Sequence, residues 1–69
     1  MDENVVFRNH WLRVRFFVNI GVYEVEEDVG IGTIVKEFSS VEGVNEFLRH
    51  LCTIRGDDLI TIPRKEPAP

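Results

Sequence analysis

The longest patterned stretch of the chain covers residues 11–20, Trp-Leu-Arg-Val-Arg-Phe-Phe-Val-Asn-Ile, where apolar and polar residues largely alternate. Period two marks an extended strand, whose successive side chains point to opposite faces. Leu12, Val14, Phe16 and Val18 then share a core face, while Trp11, Arg13, Arg15 and Phe17 share the other. This run is predicted to be the central strand of a small sheet. Upstream, Val5-Val6-Phe7 either begins the same strand, with a bulge near Asn9, or forms a short strand of its own, and periodicity leaves both open.

Asn19-Ile20-Gly21 is a turn signal, because Gly tolerates the positive φ that tight hairpins need. With Ile20 and Gly21 in the turn, a second strand over residues 22–27 sets Val18 opposite Tyr23, Phe16 opposite Val25, Arg15 opposite Glu26 and Arg13 opposite Asp28. Cross-strand pairs of opposite charge contribute ~0.2–1 kcal/mol each. The same register leaves Glu27 opposite Val14 on the core face. Residues 28–32 make the next connection, and residues 33–38 read as a third strand with Ile34 and Phe38 on one face and Val35 on the other.

Ser39 or Ser40 caps a helix, and Ser39 with Glu42 has capping-box spacing. Val41, Val44, Phe47, Leu48, Leu51 and Cys52 recur at the helical i, i+3, i+4, i+7 interval, with Glu42, Asn45, Glu46, Arg49 and His50 turned outward. Gly56, preceded by the cationic Arg55, is the expected stop. Asp57-Asp58 turns the chain into a last short strand over residues 59–62, which Pro63 ends. Residues 1–4 and 64–69 are expected to be disordered tails.

Sixty-nine residues make one domain. A chain this short buries only roughly 60% of the surface its unfolded form exposes, so a deep substrate pocket would displace most of the core. The formal net charge of −4 argues against a chain whose main task is gripping phosphates. A lone cysteine, Cys52, provides no disulfide framework, which suits a reducing, cytoplasmic setting. The start of the chain leads into no apolar run, and no stretch approaches the length of a membrane span.

Candidate chemistry is sparse. Cys52 and His50 lie two residues apart on a helix and so point to different faces, which makes Cys52 a small core residue rather than a nucleophile. His10, His50 and Cys52 lack paired-ligand spacing for zinc, and Glu24, Glu26, Glu27 and Asp28 lack the glycine and alternating ligands of a calcium loop. Gly30-Ile31-Gly32 lacks the lysine and following helix of a phosphate loop. Arg55-Gly56-Asp57 spells an adhesion tripeptide, but a helix stop followed by a turn explains the same letters. No catalytic, metal or cofactor site is expected, and the chain is not expected to be an enzyme.

The combination of Arg8, His10, Trp11, Arg13, Arg15 and Phe17 stands above this background. Cations interleaved with aromatics are how sheets stack unpaired bases, and Trp and Arg also anchor protein interfaces. The expected architecture is α+β, a small two-layer domain with an antiparallel sheet of three or four strands and one helix on one face, in the order β-β-β-α-β. The expected function is a non-catalytic interaction module, an inhibitor, adaptor or regulator that docks on a larger protein partner through an exposed strand edge or the Trp11 face, as a monomer or homodimer, away from membranes. Its partner-binding residues are expected to be Trp11, Arg13, Arg15, Phe17, Glu24, Glu26, Glu27 and Asp28. The acidic cluster complements the basic surfaces of nucleic-acid machinery such as a polymerase. In size and layout, though in no motif, the chain resembles the small inhibitors that phages direct at host enzymes. Single-stranded nucleic-acid binding through the Trp/Arg face is the alternative.

Overall fold

The computed structural model describes residues 4–66; the expected disorder of residues 1–3 and 67–69 lies outside the described residues. Among the described residues, strands β1 (Val5–Arg8), β2 (Leu12–Phe17), β3 (Val22–Asp28) and β4 (Thr33–Phe38) precede one helix, α1 (Val41–Arg55). The strands form one antiparallel four-stranded sheet in the order β1-β2-β3-β4. The chain is thus the expected small α+β domain, a sheet with one helix across a face.

β1 is a strand of its own. Asn9 ends it: its side-chain Oδ1 accepts from the N–H groups of Trp11 and Leu12, 2.9 Å each, and its own N–H donates to the Leu12 carbonyl. A bulge does occur, but inside β1, where the register shifts between Val5 and Phe7. The extra residue, Val6, packs against the core together with Phe7.

The β2–β3 register differs from the sequence expectation by one pair. Val18 lies in the turn rather than on the core face, because the Phe17 carbonyl accepts from both Ile20 N and Gly21 N and Gly21 takes φ 65°. Phe16 therefore faces Tyr23, Val14 faces Val25, Arg15 faces Glu24 and Arg13 faces Glu26. A shift of two residues preserves which face each side chain takes, so arginines still meet acids, but Val14 meets an apolar partner instead of Glu27.

Ser40 is the helix cap, with its Oγ accepting from Gly43 N at 3.2 Å. At the other end Gly56 adopts φ 72°, its N–H donating to the Thr53 carbonyl while Asp57 N–H donates to Cys52. These two bonds make a Schellman stop. Val41, Val44, Leu48, Leu51 and Cys52 are buried as the helical spacing requires. α1 packs on β3 and β4.

Residues 59–62, expected as a strand, form no ladder and run as an extended segment back toward the start of α1. Ile62 is 2% exposed and Ile60 packs on the core, while Leu59 and Thr61 face outward. The period-two pattern was a true signal of extended chain, but a side chain, not a strand, meets its backbone. Asn45 Nδ2 donates to the Ile62 carbonyl at 3.0 Å and Asn45 Oδ1 accepts from Ile62 N–H at 2.7 Å. Asn45, expected to face water, is thereby half-buried. The segment remains in contact beyond Pro63: Arg64 pairs with Glu42, and Lys65 N–H donates to the Tyr23 hydroxyl at 2.8 Å. Residues 64–66, expected as part of a tail, thus continue the cover over the core.

Candidate functional site

The face of the sheet away from the helix collects Arg13 and Arg15 from β2, Glu24 and Glu26 from β3, and Val35 and Glu37 from β4. Arg13 pairs with Glu26, and Arg15 lies 3.8 Å from Glu24. Phe17, at the end of β2, is half-buried opposite Val22. Of these, Arg13, Arg15, Phe17, Glu24 and Glu26 are predicted site residues that the structure does bring together on one face, and Glu24 and Glu26 lie beside the arginines rather than standing as an acidic patch.

Trp11, Glu27 and Asp28 belong elsewhere. Asn9 bends the chain before Leu12, so Trp11 leaves the strand alternation and is only 4% exposed, inside the core cluster. The Arg55 guanidinium lies 4.0 Å from the Trp11 ring centroid, bonds Glu27 Oε2 at 3.3 Å and donates to the Asp28 carbonyl at 2.8 Å. The helix end is thereby clasped to the β3 end through one arginine. Asp28 Oδ1 accepts from Gly30 N–H, shaping the β3–β4 turn. A stacking platform needs an exposed ring face. Trp11 offers none, since its indole is enclosed and Arg55 covers it.

A cleft of about 270 Å³ beside this corner is lined by Arg8, Asn9, His10, Trp11, Glu26 and Asp28 among others, cations and acids together. Cys52 is buried in the core while His50 is exposed on α1. Among the described residues, no group of three or more His, Cys, Asp or Glu side chains is placed to hold a metal ion. Among them, too, no helix is long and apolar enough to cross a membrane.

The sequence suggests an exposed strand edge as a docking surface but does not place it on β4. All of β4 but Phe38 is exposed, and Ile31 in the preceding turn is 100% exposed, Ile34 45% and Val35 51%. In an antiparallel ladder, residues whose N–H and C=O face one neighbour alternate with residues whose groups face away. The turn bond from Val29 N to the Gly32 carbonyl sets the phase. Ile34, Lys36 and Phe38 bond to β3, opposite Glu27, Val25 and Tyr23. Thr33, Val35 and Glu37 aim their backbone groups outward. The two-sided apolar pattern of residues 33–38 was the available signal, but a buried central strand gives the same pattern.

Comparison of the chain with protein families, with curated proteins and with solved structures finds no match.

Proposed function

We propose that the chain is a small non-catalytic interaction protein, an inhibitor, adaptor or regulator, that docks on a larger protein by offering the free edge of β4 as a template for a partner strand. The observation that carries this reading is the row of outward backbone groups at Thr33, Val35 and Glu37, beside the exposed side chains of Ile31, Ile34 and Val35. Main-chain hydrogen bonds supply affinity in strand addition, and flanking side chains supply specificity. An unprotected apolar edge is otherwise a liability that small domains shorten, twist or cover. The separation of Cys52 from His50 supports a non-catalytic role, and the enclosure of Trp11 favours a protein partner over unpaired bases.

Proline at position 35 tests the edge directly. Val35 N–H points away from β3, so Val35→Pro removes an outward donor without breaking a ladder bond, and proline is tolerated on edge strands. Capture from a cell lysate is expected to yield a species with the wild-type protein that is lost with Val35→Pro and with Val35→Arg, both variants keeping the wild-type amide fingerprint away from β4. Equal capture by all three proteins would place the docking surface elsewhere.

A further inference from the structure

The charge pattern along the sheet narrows the chemistry of that partner strand. One row across the outer face runs Val5, Arg15, Glu24, Glu37. Arg15 lies beside Glu24, but Glu37 sits directly opposite Glu24, a like-charge pair at the last position before the open edge. Like charges directly opposite each other destabilise a sheet, whereas a cation opposite a carboxylate stabilises it. The neighbouring row runs Arg8, Arg13, Glu26, Val35 and ends on an apolar side chain. A fifth strand would meet Glu37 in one row and Val35 in the next.

We infer that the β4 edge takes an antiparallel strand from a basic partner, one that places Lys or Arg opposite Glu37 and an apolar residue opposite Val35. This rests on the edge-docking reading above and specifies its ligand. A second copy of the chain does not meet the requirement. In a two-fold antiparallel pairing, edge-directed residues pair only with edge-directed residues. Opposite Glu37 the copy has Ile31, Thr33, Val35, Glu37 or Ser39 to offer, none of them basic. Two copies also bring together chains of net charge −4 each. A strand from a basic partner that sets its cation opposite Glu37 satisfies both the row and the whole-chain charge.

The test uses two cyclised hairpin peptides whose free strand reads Lys-Glu-Val-Ile-Thr or Glu-Glu-Val-Ile-Thr, so that the first residue falls opposite Glu37 and the valine opposite Val35. Cyclisation removes most of the ordering cost of the probe. Titrated into the full-length protein and followed by amide chemical shifts, the lysine hairpin is expected to move Thr33, Val35 and Glu37 and to bind about 2–10-fold tighter than its glutamate counterpart. Glu37→Gln is expected to erase that preference and Glu37→Lys to reverse it, with the difference shrinking at high salt. Equal affinity for the two hairpins, absence of shifts at β4 with either, or a concentration-dependent dimer that Val35→Pro dissolves would each overturn the inference. The docking reading itself stands or falls separately, on whether Val35→Pro abolishes capture.

Discussion

A single amide side chain, that of Asn45, stands in for a strand partner. It donates to the Ile62 carbonyl and accepts from the Ile62 N–H, so one helical residue satisfies both polar groups of a backbone unit whose side chain is buried. Asn45→Ala leaves that N–H and C=O without their partner in a half-buried place, at a cost of about 1–3 kcal/mol. Thermal unfolding is expected to show it as a fall of about 4–8 °C per kcal/mol, accompanied by faster amide exchange at Ile62. An unchanged melting temperature would mean that Asn45 holds nothing in solution. Helical periodicity read Asn45 as a water-facing position, since residue type and spacing do not reveal that another segment returns along that side. Trp11 escaped the sequence for a related reason. Its position matches the alternation of Arg13, Arg15 and Phe17, but the Asn9 side chain bends the backbone just ahead of β2 and turns the indole into the core.

At the scale of elements, the sequence was most informative where one signal decided one feature. The helix is the clearest case, with its apolar stripe, serine cap and glycine stop all where their chemistry requires them. The hairpin register was less legible, because it depends on whether the turn holds two residues or four. Alternation alone cannot count turn residues, and a two-residue slip preserves both faces. Gly43 shows how packing modifies a local rule. Replacing glycine by alanine inside a helix ordinarily gains about 0.5–1 kcal/mol. Here the new methyl group would lie 3.2 Å from Phe38 Cδ2 and 3.4 Å from the capping Ser40 Oγ. Phe38 in turn packs on Phe47, ring centroids 5.4 Å apart, so it has little freedom to withdraw. Gly43→Ala is expected to gain less than the ordinary amount, and Gly43→Ala made in a Phe38→Leu background is expected to recover it. Urea unfolding of the four proteins measures the coupling, and full additivity would refute the crowding.

For the whole molecule, the helix and the C-terminal segment share the task of covering one sheet face. α1 lies on β3 and β4, while Ile60 and Ile62 join Val6 and Phe7 in the same core cluster. In a domain of 69 residues the total stability is on the order of 3–10 kcal/mol. Burying one large aliphatic side chain contributes about 1.5–3 kcal/mol, so the extended segment holds a substantial share of that total. A chain ending at Gly56 is therefore expected to lose its cooperative unfolding transition. Point changes separate packing from mere length. Ile62→Ala is expected to cost about 2–5 kcal/mol, whereas Leu59→Ala, at a side chain 62% exposed, should stay within about 0.5 kcal/mol. Similar losses at the two positions in urea unfolding would mean that the segment does not dock by its inward face. A selective loss at Ile62 would show that the inward side chains of the segment, and not its length, close the part of the core that α1 leaves open.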